Sequence, residues 1–229
     1  MDALRLIDCW EHGRRRHPLD RALLLFAAAA PGEDPETLAD RTLGERNAAL
    51  LRLRQKMFGD ALKSCVECPE CGEQLEFALS ANTLLEPSPP GVARAAYVDI
   101  QGVRVRLPTT RDLASVATEG DPLVAEARLF ERLIGAASAA APSPEDLTRE
   151  LDAADPCMDL ALDLTCPACA HAWSAAFDVP AFLWEEVEVR ARRLLDEVHA
   201  LARSYGWAER EILALSEVRR NAYLERVLA

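Results

Sequence analysis

Apolar residues recur at helical spacing near both ends of the chain, while the middle carries shorter windows in which apolar and polar positions alternate. In "HPLDRALLLFAAAA", Leu19, Ala22, Leu23 and Phe26 share one helix face. The run "RTLGERNAALLRLRQKMFGDAL" opens with Thr42 and, three residues on, Glu45, the spacing of a capping box. Its apolar positions Leu50, Leu51, Met57, Phe58, Ala61 and Leu62 predict a helix seated on a core. Near the other end, Leu183, Val187, Ala191, Leu194, Val198, Leu201 and Tyr205 form one stripe, and Gly206 stands where a left-handed C′ residue is expected. Two short helices follow, the second capped by Ser216. The stripe suits either a core helix or a docking element.

Between these ends the period changes. "EPSPPG" (86–91) is a break that no helix or central strand accommodates. Val98, Ile100, Val103, Val105 and Leu107 then predict a hairpin turning at Gln101-Gly102, closed by Pro108 and followed by a helix capped by Thr109 or Thr110. Asp121 before Pro122 marks another helix start, and within the second break, "APSPED", Ser143 and Pro144 mark one more.

Two stretches share a further pattern. "CPECGEQLEFAL" and "CPACAHAWSAAF" each carry Cys-Pro-x-Cys, a short turn, and alternating apolar residues: Leu75, Phe77 and Leu79 in one, Trp173, Ala175 and Phe177 in the other. The second is also entered by alternation, with Met158, Leu160, Leu162 and Leu164 in step. A two-residue spacer lets one tight turn aim two sulfurs at one point, and four thiolates close a tetrahedron around zinc. The expected ligands of a structural Zn2+ are Cys68, Cys71, Cys166 and Cys169. Cys65 is left as a spare or alternative ligand, His171 as a substitute more naturally outside the shell, and Cys9 and Cys157 as buried thiols.

Residues 72 to 165, 94 in all, separate the two pairs, whereas a self-contained ribbon needs about 15 to 20. A subdomain is therefore expected inside the ribbon. Loop-closure entropy grows slowly with length, and zinc affinity on the order of 10 kcal/mol offsets it. The fold class expected is α+β and mostly helical: a split four-cysteine zinc ribbon with an inserted hairpin and helical subdomain, and a helical C-terminal tail. The divisions are N-terminal helices at 1–63, ribbon halves at 64–80 and 157–179, the insertion at 81–156, and the terminal helical segment at 180–229.

Net charge is −12, from 38 acidic and 26 basic residues. That balance disfavours a protein whose affinity comes from phosphate contacts. The basic groups at Arg14 to Arg16, at Arg46, Arg52, Arg54 and Lys56, and at Arg190, Arg192 and Arg193 read as solvated helix faces. "RALLLFAAAAPG" has the length of a signal-peptide core, but the acidic, half-polar sequence before it makes a buried helix the better reading. No apolar run is long enough for a membrane helix. A cytoplasmic setting is expected, where closely spaced cysteines stay reduced and hold metal.

The chain has no glycine-rich phosphate loop and no His-Glu-x-x-His; His12, His17, His171 and His199 share no motif. A zinc ion enclosed by four thiolates keeps no open position for water, so a non-enzyme is expected.

Several segments together resemble a known family: "RNAALLRLRQKMFG" before "CPECG", "VRVRLPTTRDLA", "ADPCMDLALDLTCPACAHAWSAAFDVPAFLWEE", and "VHALARSYGWAEREILALSEVRRNAYLERVL". The chain resembles the bacteriophage-tail baseplate family known as baseplate hub assembly chaperones, found with contractile injection systems. The resemblance covers most of the chain. It departs at Ala170, where the family usually has glycine, and alanine is accommodated there if the backbone keeps negative φ. The resemblance implies a role in assembling a phage-tail-like particle, as a transient chaperone or a minor component, with baseplate or hub proteins as partners. Phe182, Trp184 and Trp207 are the aromatics expected to serve partner binding. The competing expectation is a cytosolic zinc-ribbon adaptor for nucleic acid or the transcription machinery.

Overall fold

The computed structural model describes residues 1–88, 96–135 and 142–228. Two helices come first, α1 (Ala3–Gly13) and α2 (Pro18–Ala29), then the short α3 (Pro35–Ala39) and the longer α4 (Leu43–Phe58). An antiparallel pair follows, β1 (Ala61–Glu67) and β2 (Gln74–Ser80), running into α5 (Ala81–Leu85). The middle consists of the hairpin β3 (Tyr97–Ile100) and β4 (Val103–Arg106), then α6 (Thr110–Val116), α7 (Pro122–Ile134) and α8 (Pro144–Ala154). A third antiparallel pair, β5 (Ala161–Thr165) and β6 (Ala172–Ala176), leads into α9 (Val179–Tyr205), α10 (Glu209–Ala214) and α11 (Glu217–Leu228). The fold is thus α+β and mostly helical, with three two-stranded sheets among the described residues. Of the expected proline-rich break, residues 89–91 lie outside the described residues, as does Ala141 of the second break.

The chain divides into two compact units, residues 26–179 and a unit made of residues 1–25 with 180–229. In the second of these, α9 buries Leu183, Val187, Ala191, Leu194 and Leu201, so its stripe is a core face. Tyr205 at its end is 39% exposed, and Gly206 follows at φ 69°. Arg220, 2% exposed, gives its guanidinium to Glu197 at 2.5 Å, and Arg190 reaches the same carboxylate at 3.1 Å. In α2, which spans the division, Ala22, Leu25 and Phe26 are buried, and Leu19 and Leu23 only half-buried.

Within residues 26–179, α4 carries its capping box: Glu45 N–H donates to the Thr42 hydroxyl at 3.2 Å. The helix stops at Phe58 and β1 begins at Ala61, earlier than the apolar run implies. From Leu62 onward the burial pattern has period two, which the helical spacing obscures.

The hairpin turns at Gln101 and Gly102, both at positive φ, as a type I′ connection requires. Ile100, Val105 and Leu107 pack with Leu133 of α7 and Leu147 and Leu151 of α8 in a small core of their own. This insertion is anchored to α4. Leu43 N–H donates to the Pro108 carbonyl at 2.9 Å, and Thr42 and Thr109 form an antiparallel bridge.

Two of the arginines expected on a solvated face are buried instead. Arg46 and Arg54 are 5% and 3% exposed. Arg46 donates to the Asn47 side chain at 3.0 and 3.1 Å and to the Thr110 hydroxyl at 3.0 Å. Burial pulls Arg46 down to about 10, against the opposing influence of Asp178, and it stays protonated at neutral pH. Arg54 donates to the Gly59 carbonyl at 2.6 Å. These long side chains bury their stems and spend their donors on the chain's own acceptors.

Candidate metal centre

Each Cys-Pro-x-Cys unit forms the tip of an antiparallel hairpin. Glu67 pairs with Gln74 at the base of the first tip, and Thr165 with Ala172 at the base of the second. The backbone bonds inside the tips correspond one for one. Cys68 N–H donates to the Glu73 carbonyl at 2.8 Å and Gly72 N–H to the Cys68 carbonyl at 3.0 Å. In the other tip, Cys166 N–H donates to the His171 carbonyl at 2.8 Å and Ala170 N–H to the Cys166 carbonyl at 2.9 Å. The repeated motif has produced a repeated turn.

The two turns face each other. The sulfurs of Cys68, Cys71, Cys166 and Cys169 all lie within 4.8 Å of one another. Across the pair of tips, Cys68 and Cys169 are 3.7 Å apart and Cys71 and Cys166 3.6 Å. Cys68 and Cys166 are each 1% exposed, while Cys71 and Cys169 are open to solvent. Four thiol groups converging without a covalent bond among them can enclose one metal ion.

The other cysteines stand apart from this cluster. Cys65 lies on the exposed side of β1, opposite Glu76, because strand alternation turns it outward. Cys157 is fully buried, with its thiol 3.6 Å from the Leu84 carbonyl. Cys9 is half-buried, and burial pushes its thiol up to about 11. His171 stacks on Trp173, with ring centroids 5.9 Å apart, and its carbonyl serves the turn.

Ala170 departs from the expectation of negative φ: it sits at +59°, in the left-handed region. Gly72, its counterpart, is at +75°. The turn demands this conformation because the residue after the second cysteine must carry its N–H back to the first cysteine's carbonyl.

Of the aromatics expected at a partner surface, Trp184 is only 4% exposed. Its ring is packed so closely on Gly13 that a Cβ there would come within 2.3 Å of it, and Arg21 lies over it at 5.0 Å. It is a packing residue. Phe182 is half-buried, and Trp207 is half-buried in a cluster with Tyr205 and Tyr223, at centroid distances of 4.7 and 4.8 Å.

Two buried polar arrangements lie beyond what the residue pattern predicts. Asp155, fully buried, accepts from Gly44 N–H at the start of α4 at 2.8 Å. On the same helix, the Asn47 side-chain amide donates to the Cys157 and Met158 carbonyls at 2.9 and 3.1 Å. These bonds fix the segment entering β5, and so position the second cysteine pair. In the insertion, Asp112 accepts from Arg106 at 2.7 Å through both oxygens, from Arg132 at 2.7 Å and from the Thr109 hydroxyl at 2.7 Å. The Thr109-x-x-Asp112 spacing is the available signal, being itself a capping box.

No helix among the described residues is long and apolar enough to cross a membrane. Comparison with protein-family models, with curated proteins and with solved structures found no match to this chain.

Proposed function

We propose that this chain is a non-catalytic assembly protein of a phage-tail-like contractile injection system, folded around one structural zinc ion in a split four-cysteine ribbon. The observation that carries the metal reading is the convergence of Cys68, Cys71, Cys166 and Cys169. A Zn–S bond of about 2.3 Å gives sulfur–sulfur edges of about 3.8 Å in a regular tetrahedron. The cross-hairpin separations of 3.6 and 3.7 Å fit that figure. When bound, zinc supplies a fixed tetrahedral centre; the four thiolates fill it and leave no site for a reacting water.

The assembly role rests on the family resemblance of the sequence, with a baseplate or hub protein as the partner. A transient chaperone is the form we favour over a retained minor component. The internal engagement of Arg46, Arg54 and Arg190 supports this reading over a nucleic-acid adaptor, since those guanidiniums serve the chain's own carbonyls and side chains.

The test has two parts. Metal analysis of the purified chain is expected to give one zinc per polypeptide, and Cys166→Ser to lose the metal and much of its helicity. A variant that keeps both its melting temperature and full helicity rules out the clasp. Affinity capture from cells making the injection system is expected to retrieve a baseplate or hub protein, with the chain absent from purified particles. Salt-dependent retention on DNA or RNA instead would favour the adaptor.

A further inference from the structure

The four sulfurs differ in access. Cys71 and Cys169 face solvent, and each has a buried sulfur of the opposite hairpin close by: Cys166 at 3.6 Å from Cys71, and Cys68 at 3.7 Å from Cys169. The rim is acidic on one side. Glu70 and Glu73 are exposed, and Glu67 reaches beside Gly72, where an added Cβ would lie 3.6 Å from its carboxylate.

Resting on the reading of this cluster as a zinc site, we propose that Cys71 and Cys169 are the oxidation sites of the chain for neutral hydroperoxides, and that oxidation exchanges the metal for two disulfides joining the hairpins, Cys71–Cys166 and Cys68–Cys169.

The chemistry balances with hydrogen peroxide as the named oxidant. The Cys71 thiolate attacks one peroxide oxygen, the S–O bond forms, the O–O bond breaks, and the departing hydroxide takes a proton to become water. The Cys166 thiolate then attacks the Cys71 sulfur, the S–S bond forms, and the second hydroxide leaves and is protonated. Two electrons have passed from two thiolates to one peroxide. Cys169 and Cys68 consume a second peroxide in the same way. Zinc changes no oxidation state; it departs because disulfide sulfur no longer offers the thiolate it requires. Acidic neighbours disfavour approach of anionic oxidants such as oxidised glutathione.

The consequence is particular to a split site. Disulfides within each Cys-x-x-Cys would free the two hairpins from each other, whereas disulfides between them keep the 94-residue connection closed. Oxidation then preserves the fold while expelling the ion.

The experiment uses the full chain carrying Cys65→Ser, which removes an exposed thiol outside the cluster. Hydrogen peroxide is added while zinc release is followed with a chromogenic chelator, helicity by circular dichroism, and linkage by peptide mapping without reduction. The expected result is zinc release with helicity retained and peptides linked as Cys71–Cys166 and Cys68–Cys169. Linkage within each hairpin, sulfinic acids in place of disulfides, or zinc held throughout overturns the proposal. Equal release rates with oxidised glutathione overturn its restriction to neutral oxidants. A chain purified without zinc defeats the underlying metal reading separately, and the linkage map still decides the pairing.

Discussion

The carboxylate of Asp155 accepts a hydrogen bond from the backbone N–H of Gly44 at 2.8 Å, joining positions 111 residues apart. Gly44 lies in the first turn of α4, where N–H groups lack helical acceptors and negative charge is favoured. Residue 44 has no room for a side chain, since a Cβ would fall 1.8 Å from an Asp155 oxygen. Gly44→Ala is therefore expected to destabilise the chain by about 1–3 kcal/mol, although alanine favours helix by about 1 kcal/mol. A urea midpoint at unchanged slope measures this, and a midpoint equal to or above that of the parent chain refutes the contact.

Ala170 and Gly72 occupy the same place in two like turns, at φ +59° and +75°. The left-handed region disfavours an L side chain by about 1–2 kcal/mol. Ala170→Gly is expected to stabilise the metal-bound chain by about 1 kcal/mol, and Gly72→Ala to weaken it by a similar amount. Denaturant titration of both variants in excess zinc checks the pair; equal stabilities show that the turns relax.

Asp112 gives the chain an acid limb. Its side chain is 1% exposed. Burial alone raises its carboxyl, but the bonds from Arg106, Thr109 and Arg132 prevail and hold it well below the usual carboxylate range. The folded pKa is thus below the unfolded one, so the stabilisation is complete above about pH 5 and fades as pH falls through about 3.9 toward the folded value. Asp112→Asn is expected to flatten that limb and to lower stability at pH 7 by about 2–3 kcal/mol, less than for a fully buried pair because both guanidiniums keep solvent access. Stability measured between pH 3 and 7 tests this, and an unaltered slope in the variant excludes the assignment.

Glu197 and Arg220 form a buried pair at 2.5 Å, with side chains 6% and 2% exposed. Removing one partner leaves the other charge buried, so Glu197→Leu is expected to cost about 3–5 kcal/mol. The double variant with Arg220→Met should recover most of that loss, because the most deeply buried of the charges facing Glu197 is gone, while Arg190 keeps Glu217 at 3.1 Å and Arg193 is largely exposed. Thermal and urea unfolding of the single and double variants beside the parent gives the comparison. A single variant within about 1 kcal/mol of the parent shows the pair to be dispensable.

The pattern of residues goes far in some places and fails in others for physical reasons. Caps at Thr42, Asp121 and Ser143, and the turn at Gln101-Gly102, depend on a few neighbouring atoms and are legible in the sequence. The cysteine cluster is legible because a rare residue recurs at one narrow spacing in two Cys-Pro-x-Cys units. β1 is not: Leu62, Ser64 and Val66 alternate beside a helix end, and a seven-residue strand leaves a weak period. Asp155 and Glu197 look like ordinary surface acids until Gly44 and Arg220 arrive from elsewhere in the chain. Asp112, by contrast, announces its cap with Thr109 and hides only its bond to Arg132. The burial of Arg46 and Trp184 is hidden for the same reason, since the fate of a long or polar-tipped side chain depends on what the rest of the chain brings to it.

Cys166 follows Cys71 by 95 positions, and that interval also sets a schedule. At about 5–20 residues per second, a ribosome needs about 5–20 s to deliver the later thiol after the earlier one. Through that interval the first hairpin is a lone two-stranded ribbon, marginal in water. Closure of the cluster waits for the second hairpin, so zinc supplied only after translation should yield the same product as zinc present throughout synthesis.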